Sequence, residues 1–213
     1  MGTVATLPKT SPRGEQTRRR ILEVAQEAIL AKGFDATSIE EIVAGAEITR
    51  SGFFYHFRDK NELARALLEA SIEQDRAILS DVFRRGHELS DDPLHAFLVG
   101  LKLFAALMDD MPNGHPGCIV TTVCYQQRLF DREVRALNRQ AVLNWRAHFL
   151  AELEAVAERY PPKAPVDLVA LADLLSTTIE GGIVLSKALG EPKLLGQQIM
   201  LQRAYVKLLF SPA

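Results

Sequence analysis

The stretch Thr37-Ser38-Ile39-Glu40-Glu41-Ile42-Val43-Ala44-Gly45-Ala46-Glu47-Ile48-Thr49-Arg50-Ser51-Gly52-Phe53-Phe54-Tyr55-His56-Phe57-Arg58-Asp59-Lys60-Asn61-Glu62 decides the fold. Three helix starts follow one another in it. Ser38 with Glu41 makes a capping box, in which the hydroxyl accepts from a backbone N–H and the carboxylate reaches back; Thr37 with Glu40 offers the same pattern one residue earlier, so either can be the N-cap. Thr49 can cap a second short helix, and Asp59 with Glu62 opens a third, long one. Gly45 and the Ala46-Glu47-Ile48 segment have to turn. Two short helices joined by a tight turn are the sequence form of a helix-turn-helix.

The second short helix carries the candidate chemistry. Four of the chain's fifteen Phe, Tyr and Trp residues lie within 53–57. Phe53 and Phe57 are i,i+4 neighbours and belong on the buried side. Arg50, Ser51, Gly52, Phe54 and Tyr55 spread over the other faces. An arginine there suits bidentate reading of guanine in a major groove, and a glycine keeps the helix slim for close approach. Thr37 and Ser38 sit where a helix N-terminus can meet a phosphate, and Lys60 suits a phosphate at the start of the next helix.

Outward from this segment the ten prolines divide the chain, at 8, 12, 93, 112, 116, 161, 162, 165, 192 and 212. The proline-free stretches 13–92, 117–160, 166–191 and 193–211 are where helices can run. No sustained period-2 alternation occurs and no Asn-Gly or Asp-Gly hairpin signal lies between β-branched runs, so the chain reads as all-α with about nine helices. Residues 1–13 read as a flexible arm. Lys32-Gly33 closes the first helix with a cation and a glycine, and Phe34 follows as a core plug. A long helix runs from Lys60 to roughly Arg85-Gly86. Asp92-Pro93 opens an apolar one, Cys118 to about Leu129 reads as a short one, and Asp131 caps another long one. Pro165 is read as opening 166–189, apolar almost all round, and Pro192 as opening the last helix.

Composition narrows the function classes. The 213 residues carry 25 Lys+Arg against 27 Asp+Glu, a formal charge of −2, which argues against a globally basic nucleic-acid coat. The charge is uneven: residues 1–20 hold 5 basic and 1 acidic side chain, with Arg18-Arg19-Arg20 in a row, a candidate phosphate-contacting arm. Two cysteines exclude a disulfide scaffold and a four-cysteine zinc site. His56, His87, His95, His115 and His148 form no His-x-x-x-His or His-x-His pair, so no metal is expected. No Gly-x-Ser-x-Gly, P-loop or dinucleotide fingerprint appears, so neither enzyme activity nor a cofactor is expected. No uninterrupted apolar run approaches 18 residues and the first residues lack a signal-peptide pattern, which predicts a soluble, intracellular protein with no membrane partner.

The spaced features of 37–63, with the helix before them, resemble the TetR (tetracycline-repressor) family of bacterial transcription regulators over about residues 14–65. The resemblance implies contacts to double-stranded operator DNA near Thr49, Arg50, Ser51, Gly52, Phe54 and Tyr55, with Thr37, Ser38, His56 and Lys60 supporting the backbone contacts. Two positions depart from the family pattern: Glu47 stands where a turn glycine is frequent, and Phe54 where a tyrosine is common. The implied organisation is an arm over 1–13, a three-helix DNA-binding domain over 14–60, and a larger helical ligand-binding and dimerisation domain over 61–213. A palindromic operator needs two reading heads, hence a homodimer, with the last two long helices pairing across a two-fold axis. The implied location is the bacterial cytoplasm, on the nucleoid when bound.

The C-terminal region reads as the sensor. Phe97, Leu101, Phe104, Met108, Cys124, Tyr125, Trp145, Phe149, Thr178 and Glu180 are the candidate lining of a small-molecule cavity, though most of them serve equally as core. Gly181-Gly182 inside an apolar helix points to close helix approach or room for a ligand. Cys118 and Cys124 are too far apart along a helix for a disulfide. Cys118 lies near a helix start, where a thiolate is favoured, so a redox or electrophile sensor is an alternative to a reversibly bound effector. The regulator is expected to be a repressor released by its effector; a ligand-independent or activating regulator is the other reading.

Overall fold

The computed structural model describes residues 12–211; the segment read as an arm lies outside them except for its last two residues, which are helical. Among the described residues there are nine α-helices and one 3₁₀ turn: α1 (Pro12–Ala36), α2 (Ile39–Gly45), α3 (Arg50–His56), α4 (Lys60–Leu89), α5 (Pro93–Asp109), α6 (Ile119–Tyr125), the 3₁₀ turn (Gln127–Leu129), α7 (Arg132–Arg159), α8 (Leu168–Leu189) and α9 (Leu194–Phe210).

Most helix starts follow their local signals. Ser38, Thr49, Asp59, Asp92 and Asp131 each accept from a backbone N–H three residues on, satisfying a donor that the first helical turn leaves open. Gly33 has φ 87°, so α1 breaks there, and the N–H of Phe34 donates to Gln126 Oε1 at 2.9 Å. Elsewhere the prolines misplace the boundaries. Asp167, not Pro165, caps α8, whose first helical residue is Leu168; α9 begins at Leu194, behind Lys193. The segment 118–129 divides into α6 and the 3₁₀ turn. Gly86 does not end α4, which runs on to Leu89: its missing side chain lets α5 cross closely, with Ala96 O where a Cβ would stand.

Two hydrophobic cores lie along α4. The first gathers Ile21, Phe34, Ile42, Phe53, Phe57 and Leu63–Leu68 from α1–α4, and extends into α6 and the start of α7 through Val120, Val123 and Val134. The second gathers Leu79 and Phe83 with the apolar faces of α5, α7, α8 and α9. The middle of α4, about Ser71 to Ile78, therefore lies between the cores.

The helix α8 is long and apolar enough to cross a membrane by length and composition, with a mean hydropathy of 1.7 over its best window. Its charges do not support that placement. Asp173, Glu180 and Lys187 recur every seventh residue and each bonds to another part of the chain: to Arg146, to Thr121 Oγ1, and to the Pro116 carbonyl. The outward side carries Leu174, Val184, Leu185 and Leu189, all exposed, with Leu201, Tyr205 and Leu208 on α9.

Candidate DNA-binding surface and effector cavity

The turn between α2 and α3 is closed by backbone bonds from Glu47 N to Ala44 O and from Ile48 N to Val43 O, both 3.1 Å. Glu47 adopts φ 51°, the left-handed region where glycine is unstrained. In α3, Phe53 and Phe57 are buried, with ring centroids 5.8 Å apart, and fix the helix to the core. Its other side carries Arg50, Ser51, Phe54 and Tyr55, all exposed; Tyr55 is 75% exposed. Thr49 accepts from Gly52 N and shares a hydrogen bond with Ser51 Oγ. Arg50 pairs with Glu40 at 3.1 Å, across the face shared by α2 and α3. His56 is half-buried; burial, helped by the charge of Arg18, lowers its pKa and favours the neutral ring. The Arg18 guanidinium lies 5.0 Å from the Phe57 ring centre, while Arg19 and Arg20 are exposed.

Two expected phosphate partners are committed elsewhere. Thr37 is fully buried, and its hydroxyl donates to Gly33 O at 2.8 Å. Lys60 Nζ donates to Phe34 O at 2.5 Å and Thr37 O at 2.6 Å, filling carbonyls left open where α1 ends. Both belong to the corner between α1 and α2. Ser38 is exposed, but its Oγ accepts from Glu41 N; Glu41 itself turns to Lys32, 2.6 Å away, rather than back to the cap. That contact with Lys32 holds the Glu41 carboxyl below its ordinary range.

A cavity of about 160 Å³ opens between the cores. Ser71, Gln74, Asp75 and Ile78 line it from α4, Phe104 and Met108 from α5, Trp145 and Phe149 from α7, and Ile179, Glu180 and Ile183 from α8. Gln26 of α1, the His115–Cys118 loop and Ile119 close it. Trp145 Nε1 donates to Asp75 Oδ2 at 3.2 Å, and Thr121 Oγ1 donates to Glu180 Oε2 at 2.6 Å. Burial raises the Asp75 carboxyl to about 6, with Glu180 adding to the effect and Trp145 opposing it.

Residues 21–67 match the family described as bacterial regulatory proteins, tetR family. This segment is a DNA-binding domain of the TetR family. It is 24% identical to the transcriptional regulator AcuR of Cereibacter sphaeroides over 186 residues, covering 84% of this chain and 80% of AcuR. It is 36% identical to the regulator AcrR of Shigella flexneri over 63 residues, 30% of this chain and 29% of AcrR. A 27% identity over 101 residues relates it to the Brucella suis repressor BepR, over 46% of this chain and 47% of that one. Among solved structures, a TetR-family regulator of Agrobacterium tumefaciens superposes with a TM-score of 0.76 at 18% identity, over 93% of this chain and all of the other. Reduced E. coli NemR gives 0.74 at 18%, over 93% and 99%. At these identities the structural likeness establishes the all-α fold.

The chain thus carries the DNA-binding domain of a TetR-family transcriptional regulator. Of the ten candidate ligand residues, five line the cavity: Phe104, Met108, Trp145, Phe149 and Glu180. Phe97 and Leu101 are solid core. Cys124 and Tyr125 lie on the outer surface of α6, and the Thr178 hydroxyl donates to Leu174 O within α8. Cys118 does line the cavity, but its environment opposes a reactive thiolate: burial, and after it the charge of Glu180, push the thiol up to about 12. The sequence reading missed Gln26, Ser71, Gln74, Asp75 and His115. One signal was available, for Ser71 and Gln74 interrupt the apolar stripe of α4 at helical spacing.

Proposed function

We propose that this regulator is a homodimeric repressor that leaves a palindromic operator when a small molecule occupies the cavity between its two cores. The observation that carries the reading is the continuity of α4. Its first turn is bonded through Lys60 to the α1–α2 corner, and its middle supplies Ser71, Gln74, Asp75 and Ile78 to the cavity wall. A ligand that shifts the middle of α4 tilts the reading head, and two heads in a dimer then lose their one-turn spacing. The effect is a population shift, set by the ligand's preference for the unbound geometry.

The reading contacts are assigned to Arg50, Ser51, Phe54 and Tyr55 on the exposed face of α3, with Thr49 and Gly52 at its start. Ser38 and His56 flank them, and Arg19 and Arg20 supply phosphate contacts. The dimer is assigned to α8 and α9, whose outward apolar side chains are too contiguous for a solvated face. The relative BepR carries the name repressor, which favours repression over activation.

The test is a mobility shift with the promoter fragments the protein occupies on its own genome, with and without extracts of candidate effectors. Specific binding that weakens on ligand addition bears the proposal out. Operator affinity unchanged at ligand saturation overturns it.

A further inference from the structure

The effector's chemistry is written in the cavity wall. Most of the wall is hydrocarbon or aromatic, from Ile78, Phe104, Met108 and Phe149. Two carboxylates line it from different helices, Asp75 from α4 and Glu180 from α8, near enough for the charge of Glu180 to act on Asp75. Neither has an ion-pair partner within 4.0 Å among the described residues. Glu180 Oε2 is satisfied by Thr121, but Oε1 is buried with no hydrogen-bond partner beyond the weak thiol donor of Cys118 beside the carboxylate. A buried carboxylate oxygen without a strong donor is costly, and so is a second negative charge beside it. Lys187, on the same helix as Glu180, is occupied by the carbonyls of Pro116 and Leu30.

An organic ammonium removes all of these penalties together. Its N–H supplies the strong donor that Oε1 lacks, and its charge offsets both carboxylates. The space sets the size, since about 150 Å³ is enough for a benzene ring. We propose that the cavity binds a small hydrophobic amine in its protonated form, with the ammonium donating to Glu180 and facing Asp75, and the hydrocarbon among Phe104, Met108 and Phe149. Anionic ligands are rejected by the same two carboxylates. This rests on the effector reading above for its regulatory meaning, and on the cavity alone for its chemistry.

The experiment is calorimetric titration of the full-length protein near pH 7 with three ring compounds of matched size: benzylamine, benzyl alcohol and benzoate. Benzylammonium should bind at least about tenfold more tightly than benzyl alcohol, and benzoate more weakly than either. Glu180→Gln should bring the amine to within about threefold of the alcohol while leaving the alcohol's affinity unchanged. Asp75→Asn should reduce the same ratio, and it carries the test if the Glu180 variant fails to fold. Equal binding of amine and alcohol, benzoate binding tightest, an unchanged ratio in both variants, or no binding of the amine each overturns the proposal. The operator readout separates the two readings. Amine-selective binding with no effect on operator affinity leaves this inference standing and removes the effector role; operator release by the alcohol as readily as by the amine does the reverse.

Discussion

Lys60 donates from Nζ to the carbonyl oxygen of Thr37 at 2.6 Å, tying the first turn of α4 to the corner between α1 and α2. A second bond, to Phe34 O, completes the tie. This lysine is a structural bracket, and the proposed link between cavity and reading head depends on it. Lys60→Ala should therefore lower stability by about 1.5–3 kcal/mol, the range for hydrogen bonds to a charged group. In urea titrations this appears as a lower midpoint. The salt dependence of DNA binding should keep its slope; a slope shallower by about one would instead make Lys60 a phosphate contact.

Glu47 has φ 51° in the turn between α2 and α3, where a side chain carries strain. Glu47→Gly removes the strain and adds chain entropy to the unfolded state. The balance should favour the variant by about 0.5–1 kcal/mol. Calorimetry should show Tm higher by about 1–4 °C. A lower Tm would mean that the carboxylate contributes more than the backbone loses.

Arg50 is exposed and shares its charge with Glu40. An exposed pair of this kind contributes at most about 1 kcal/mol, so DNA can displace the glutamate. Arg50→Ala should weaken operator binding by about 1–3 kcal/mol and barely change binding to random DNA, provided that the guanidinium reads a base. Equal losses on both would assign it to phosphate. Glu40→Gln, which releases Arg50, should strengthen binding to both.

Asp75 gives the stability a signature in pH. Its carboxyl titrates at about 6 when folded and near 3.8 when exposed, so the folded protein holds this proton more tightly. The resulting stabilisation is fully present below about pH 4 and is lost as pH rises through about 6. Above that, Asp75→Asn should be more stable than the wild type by about 1–3 kcal/mol, because the amide oxygen still accepts from Trp145 without a buried charge. The gap should close toward pH 4. Burial also lowers the pKa of His115 and His148, so these titrate in the opposite sense. The difference between the two proteins isolates Asp75. A gap independent of pH would show that the carboxyl is not raised.

Gly181 and Gly182 separate the fold from the assembly. A Cβ at Gly182 would stand 2.7 Å from Leu195 Cδ1, whereas one at Gly181 meets nothing within 4 Å. Gly182→Ala should therefore destabilise the subunit, with loss on the order of 1–3 kcal/mol for overpacking. Gly181→Leu should leave the subunit folded and, if α8 pairs with a second copy, shift the sedimentation profile from dimer to monomer. A dimer retained by this variant would move the interface elsewhere.

The sequence by itself determined the all-α class, the helix-turn-helix and most helix starts. The reason is local: a cap such as Ser38, Thr49 or Asp59 acts on an N–H three residues away, and Phe53 with Phe57 declares the buried face of α3 through spacing alone. The anomaly at Glu47 was legible through the family resemblance, which puts a turn glycine at that position. Tertiary structure alone decided the rest. Lys60 stands 23 residues from Thr37, so its use as a bracket has no local sign. Asp75 and Glu180 meet at one cavity only because α4 and α8 pack around it, and the same burial raises the Cys118 thiol. Phe97, Leu101 and Phe104 share one apolar stripe on α5, yet only Phe104 reaches the cavity. Periodicity names the face of a helix; what that face meets is set by helices distant in the chain.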